Sequence, residues 1–217
     1  MRAVFQQSLS ELQERLAVMA ELVEASIGEA TTAFGDSDAE LAENVIERSE
    51  EVNALALALD ELAFDILLRQ SPVASDLRLV VASLRMSSEL ERMSDLAEHI
   101  AELARYRYPD SAIPKGLRKV FTRMGALDVE MAEAVVRLLR EQDPATILEI
   151  RDLEDDLDKL HAKVFSKMLS DKVNADALGL VDATLASRYH ERFGDHAVGV
   201  AKQMQFFFSG EISNDLS

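Results

Sequence analysis

An all-α fold, built as two tandem, sequence-related three-helix bundles with six long helices, follows from three observations. A phrase is written twice: Glu91-Arg92-Met93-Ser94-Asp95 returns as Glu191-Arg192-Phe193-Gly194-Asp195. At the same offset Asp76, Val81, Ser87, Ala97 and Ala101 match Asp176, Val181, Ser187, Ala197 and Ala201, so one structural unit occurs twice with few net insertions. Apolar residues recur every three or four positions, and no segment alternates with the period of a strand. Glycine and proline number only 8 and 4 among 217 residues. Ala, Leu, Glu and Arg dominate instead, a composition that favours helices.

The elements follow in order. Leu9, Leu12, Leu16, Met19, Val23, Ile27, Ala30 and Phe34 mark one long amphipathic helix, broken at Gly35-Asp36. Ser37-Asp38-Ala39-Glu40 has the form of a capping box and opens a second helix. That helix carries Leu41, Val45, Val52, Leu55, Leu59, Leu62 and Ile66 as far as Arg69. Ser71-Pro72 marks the start of a third, proline being favoured in a first helical turn, and it runs to about Arg105. Tyr106 to Pro114 holds two prolines and reads as the linker between units, giving bundles over residues 1–108 and 109–217. Leu117, Val120, Met124, Leu127, Met131, Ala134 and Leu138 mark a fourth helix. Asp143-Pro144 caps a fifth that ends near Asp171, and a sixth spans about Val173 to Ser209 with Gly210 as its C-cap. The short breaks favour antiparallel hairpins over an extended coiled coil.

Net charge is -17, from 40 acidic and 23 basic residues. A chain so acidic lacks the basic footprint that nucleic acid requires, and an anionic membrane surface would repel it. A direct DNA-binding regulator is disfavoured on that ground; cations and basic protein surfaces are the expected partners. Cysteine is absent, so disulfides and thiolate-bound metal are excluded. The first residues lack the continuous apolar core of a signal peptide, and no run reaches the ~20 apolar residues of a membrane span. A cytoplasmic location is the expectation.

The carboxylates of the repeated phrase are four residues apart, hence on one face of a helix. Val73, Leu77, Val80 and Leu84 define a line down the third helix that extends to Ser88, Glu91 and Asp95, so these acids continue an apolar stripe. On the fifth helix Ile147, Ile150, Leu157, Val164, Phe165 and Met168 form the apolar arc, with Glu154, Asp158 and His161 within or beside it. Glu154/Asp158 and Glu191/Asp195, on adjacent helices, can offer four carboxylates to one cation. Oxygen ligands of this kind suit Fe, Mn, Mg or Ca, with Zn also admissible. The competing reading is a set of buried arginine–carboxylate pairs with a structural role. His161 follows Asp158 by three residues, near the Glu-x-x-His spacing of di-iron carboxylate bundles, although the second copy of that pattern is missing. His99, His190 and His196 belong to no comparable pattern. A di-iron or di-manganese oxidase or metal-storage bundle is therefore the alternative function.

No phosphate loop, nucleophile elbow, dinucleotide fingerprint or catalytic triad is present. Phe206-Phe207-Phe208 point about 100° apart on a helix. They either fill the core at a helix end or form a partner or homodimer contact.

Pro72-Val73-Ala74-Ser75-Asp76-Leu77-Arg78-Leu79, followed by Glu91-Arg92-x-x-Asp95, strongly resembles the PhoU family of phosphate-uptake regulators. Glu191-Arg192-Phe193-Gly194-Asp195-His196-Ala197 resembles the family's second signature, and Ser209-Gly210-Glu211 its usual ending. The resemblance implies two three-helix bundles and metal clusters, commonly of iron, at paired acidic segments. It also implies a cytoplasmic place beneath the Pst phosphate transporter, with its ATPase, and the PhoR sensor kinase, repressing the Pho regulon and restraining phosphate import. The membrane is then reached only through partners. One departure stands out. Where the second helix would carry the first unit's acidic pair, this chain has Ser49 and Asn53, with Asp60 two turns further on. The first metal site is expected to be lower in charge and affinity.

Overall fold

The structure, a computed structural model, describes residues 2–170, 173 and 175–211. Among the described residues it has six helices and no strand: α1 (Arg2–Asp36), α2 (Ala39–Gln70), α3 (Ser75–Arg107), α4 (Arg118–Glu141), α5 (Ala145–Met168) and α6 (Ala177–Ser209). The apolar residues expected to face inward on α1 and α4 are all buried. Helices α1, α2 and α3 pack on one another, as do α4, α5 and α6. The two bundles then join along α3 against α6 and α1 against α4, which leaves α2 and α5 as the flanking helices. One continuous cluster of buried apolar side chains runs through both, so the bundles share a core.

Small residues set the spacing at the joints. A Cβ added at Gly125 of α4 would stand 2.9 Å from Thr31 Cβ of α1, and one at Gly199 of α6 would stand 2.6 Å from Glu89 Cδ of α3. Across the same α3–α6 joint, His196 Nδ1 donates to Glu89 at 2.7 Å. Arg107 at the end of α3 donates to Asp182 near the start of α6 at 2.5 Å.

Several boundaries move for local reasons. The capping residue of α2 is Asp38, one position beyond Ser37; its carboxylate accepts from Leu41 N at 3.0 Å. Pro72 lies before α3, outside its first turn, because the chain crosses Ser71 and Ala74 at positive φ and enters the helix only at Ser75. The sixth helix starts at Ala177, where Asp176 accepts from Gly179 N at 2.8 Å, and not near Val173. Asp171, the expected end of α5, lies outside the described residues. The inter-bundle linker is exposed from Tyr108 to Ser111 and then turns inward, with Ala112, Ile113 and Pro114 buried. Gly210 does end α6, at φ +75, donating to Phe206 O at 2.8 Å. Phe206, Phe207 and Phe208 are all partly buried against the core.

The third-helix stripe needs a correction. Val73, which precedes α3, and Leu77 in its first turn are 72% and 40% exposed, so the start of the line leading to Glu91 faces solvent and the line meets the core only from the buried Val80 onward. The core face is instead built from Leu79, Met86, Leu90, Met93 and Ala97. Glu91 and Asp95 sit at the boundary between the two faces, each half-buried.

Candidate functional site

The α5–α6 hairpin closes tightly at Gly194, the fourth residue of the repeated phrase. A Cβ there would stand 2.9 Å from Leu157 Cδ2, 3.2 Å from Met131 Cε and 3.6 Å from Glu154 Cγ. Glycine lets α5 settle onto α6 and sets Glu154 beside the turn that carries Glu191 and Asp195. Glu154 and Glu191 are half-buried, while Asp158 and Asp195 are exposed.

All four carboxylates share one electrostatic field. Burial, then the charges of Asp158, Asp195, Asp155 and Glu191, hold Glu154 above the ordinary carboxylate range. Glu191 is also raised, by burial and then by Asp195, with Asp158 adding to the effect. Arg188 and His161 oppose that rise. Arg188 donates to both Glu191 oxygens from one turn earlier on α6, a pairing that the sequence comparison did not single out. His161 Nδ1 lies 2.8 Å from Ser187 Oγ and 3.1 Å from Ser187 O. With the proton on Nδ1 and donated to that carbonyl, Nε2 keeps the free lone pair that a ligating imidazole needs.

In the first unit, a cleft of about 240 Å³ between α2 and α3 brings Asn53, Asp60 and Glu91 together with Ser87 and Ser88. Asp95 does not line it. Arg92, the next residue of the repeated phrase after Glu91, folds onto Asp95 at 3.0 Å. Ser49, which stands where an acid would complete the pair, is buried.

The donor set fits a hard or borderline cation. Carboxylate oxygens from two helices, with one imidazole beside them, are appropriate ligands, and two of the acids are held high by burial and then by mutual repulsion, the second of which a cation would relieve. Among the described residues, however, no three His, Asp or Glu side chains already converge into a cage. Holding a cation here would require side-chain rotation, including release of Glu191 from Arg188. The first-unit cleft offers two carboxylates and an amide, a weaker set.

Sequence reasoning missed the most deeply buried ionisable pair. Asp128 of α4 and His190 of α6 are 0% and 1% exposed, and His190 Nδ1 donates to Asp128 Oδ2. Burial pushes Asp128 up to about 6, against the opposing pull of His190. Phe34 and Phe121 lie 6.3 and 6.0 Å from the imidazole centre. One signal was available: Asp128 falls on the core face of α4 with Met124, Leu127 and Met131, where an acid must find a partner. His99, by contrast, simply stacks on Tyr189 at 5.0 Å.

Comparison with known proteins agrees with this architecture. The family model described as the PhoU domain matches twice, at residues 16–104 and 121–204. The phosphate-specific transport system accessory protein PhoU homolog 2 of Mycobacterium tuberculosis is 37% identical over 210 residues, covering 97% of this chain and 99% of that protein. PhoU homolog 1 of Mycobacterium leprae is 35% identical, covering 99% and 97%. Among solved structures, PhoU from Pseudomonas aeruginosa superposes with a TM-score of 0.86 at 24% identity, covering 95% of this chain and 100% of that one. The phosphate transport system regulatory protein PhoU from Streptococcus pneumoniae gives 0.84 at 20% identity, covering 97% and 99%.

Proposed function

Because this chain belongs to the PhoU family, we propose that it is a cytoplasmic regulator that represses the Pho regulon and restrains phosphate import through protein contacts. One observation carries the reading: both repeats match the family, and relatives named as accessory proteins of phosphate transport align over almost the whole chain. Those relatives are named as accessory or regulatory proteins and not as enzymes. Among the described residues no helix is long and apolar enough to cross a membrane. Contact with the transport machinery then runs through protein surfaces.

The partners we assign are the Pst transporter ATPase and a PhoR-type sensor kinase. An acidic surface docked on either would bias that partner's conformational equilibrium, provided it binds one state better than the other. The regulator acts as a homodimer in this account. A cation, iron first among Fe, Mn, Mg, Zn and Ca, would be held by Glu154, Asp158, Glu191 and Asp195, with His161 Nε2 beside them. When bound it supplies positive charge that ties α5 to α6. Glu154 and Asp158 would hold it from one helix and Glu191 and Asp195 from the other, with Ser187 fixing the ring of His161.

The test is co-purification of the protein with the Pst ATPase and the PhoR-type kinase across a salt series. Association should weaken as ionic strength rises, because long-range attraction to a chain of net charge -17 is screened. Failure to retain either partner at low salt overturns the assignment of partners.

A further inference from the structure

Helix α2 carries two apolar stripes where a flanking helix needs one. Val45, Val52, Leu59, Ala63 and Ile66 are buried, and among the described residues α2 packs only on α1 and α3. Leu57, Phe64 and Leu68 form the second stripe. Steps of seven and four residues keep them within about 40° of one another around the helix, yet they are 64, 63 and 82% exposed. Single apolar residues scattered on a surface need no explanation, but a contiguous apolar face marks a contact with something else.

Residues of α3 broaden this stripe. Leu57 and Leu84 line one cleft, which fixes the register of the α2–α3 hairpin at that level. Antiparallel packing then sets Phe64 at the level of Leu77, seven residues nearer the turn on each helix, and Leu68 at the level of Val73 in the connection. Leu77 and Val73 are exposed as well. Apolar residues therefore follow one another from the cleft to the tip of the hairpin, at the spacing with which a single amphipathic helix presents its anchors.

The charge around the face says what chemistry would cover it. Asp60 and Glu91 are half-buried in the cleft, at the end of the face away from the turn, and Glu61 is exposed beside the stripe. The arginines nearest to them in sequence are taken, Arg69 by Asp65 at 2.6 Å and Arg92 by Asp95 at 3.0 Å. Every ion pair that α2 and α3 make among the described residues uses other acids, which leaves Asp60, Glu61 and Glu91 without one. A second copy laid symmetrically here would set these acids against themselves, because a twofold contact uses the same patch on both chains. A helix with an apolar stripe and flanking lysine or arginine complements both features.

We propose that the exposed α2–α3 face is a docking site for a basic amphipathic helix of a partner protein. Its apolar stripe lies on Leu57, Phe64, Leu68 and Leu77, and a lysine or arginine reaches Asp60 and Glu91. The inference rests on the reading of the chain as a regulator that works through protein contacts, and it places one such contact on the first unit.

The probe is a fluorescent synthetic helix with leucine at every third or fourth position and lysine elsewhere, compared with a copy in which glutamate replaces lysine. Titrated with the full chain, the lysine peptide should give a saturable rise in anisotropy that weakens with salt, and the glutamate peptide should give none. Phe64→Ser combined with Leu68→Ser should weaken lysine-peptide binding by about tenfold or more, the loss of two anchors, at an unchanged melting temperature. Asp60→Asn combined with Glu91→Gln should flatten the salt dependence. Leu148→Ser on α5 is the control: Leu148 is 61% exposed, but Arg151 and Asp152 follow it one turn on, and this variant should bind like the wild type. No saturable binding of the lysine peptide, equal binding of the glutamate peptide, or an equal loss in Leu148→Ser would overturn the proposal. Self-association of the wild-type chain that the Phe64 and Leu68 substitutions abolish would overturn the choice of occupant in favour of a second copy. The assay holds neither transporter nor kinase, so its failure leaves phosphate regulation standing, and unchanged regulation in a deletion strain leaves the peptide result standing.

Discussion

Two glycines on helices offer one substitution with opposite outcomes. At Gly28 a Cβ enters open space, whereas at Gly194 it would stand 2.9 Å from Leu157 Cδ2 and 3.2 Å from Met131 Cε. Both neighbours at Gly194 are 0% exposed, so neither can swing into solvent to make room. Alanine in place of glycine stabilises a helix interior by about 1 kcal/mol. Gly28→Ala should keep that gain, raising the melting temperature by about 2–4 °C for a chain of this size. At Gly194 the same gain is set against overpacking of about 1–3 kcal/mol, so the net lies between about zero and a loss of 2 kcal/mol. The two variants should therefore differ by roughly 2–12 °C in calorimetry. A second readout ties the packing to the site. Pushing α5 from α6 separates Glu154 from Glu191 and Asp195, so the Glu154 titration should move down toward the ordinary range. Equal stabilisation by the two substitutions would refute the claim that Gly194 sets the α5–α6 spacing.

The buried acid gives a pH prediction of definite sign. Asp128 binds its proton more tightly folded, at about 6, than its ordinary 3.8. Its stabilising contribution is full below about pH 4 and is lost as pH rises through 6, by about 3 kcal/mol in total. The difference in unfolding free energy between wild type and Asp128→Asn should change by that order across this window, and parallel profiles would contradict it. For the metal, Glu191→Ala and Asp158→Ala should release more bound cation than Glu91→Ala, read by elemental analysis after gel filtration; equal loss would contradict unequal sites. At the C-cap, Gly210→Val places a branched side chain at φ +75 against Arg78, and should cost roughly 1–2 kcal/mol in thermal unfolding.

Helical periodicity made the helices and their pairing into two groups legible, because an apolar residue every three or four positions has one physical solution in water. The repeat located Glu91/Asp95 and Glu191/Asp195, and the spacing of Glu154/Asp158 placed that pair on the facing helix. What stayed hidden depends on neighbours distant in sequence. Arg188 turns onto Glu191, and Arg92 onto Asp95, through side-chain rotations that spacing does not specify. The stripe through Val73 and Leu77 has the right period for a core, but Val73 precedes α3 and Leu77 lies in its first turn, ahead of the buried Val80 where the stripe meets the other helices. His190 lacked a local pattern because its partner, Asp128, lies on another helix 62 residues away. Asp38 displaced Ser37 as the cap of α2 because Ser37 takes positive φ, which places the aspartate in the extended conformation that the helix entry requires.

Regulation of phosphate uptake is the central claim, and a deletion strain grown in phosphate-rich medium tests it most directly. The gene should be removed together with any second family copy, and a Pho-regulated reporter and phosphate uptake followed side by side. Loss of this protein should raise both, and the wild-type chain supplied in trans should restore repression. Reporter expression and uptake that stay at wild-type levels in the deletion strain would contradict the account.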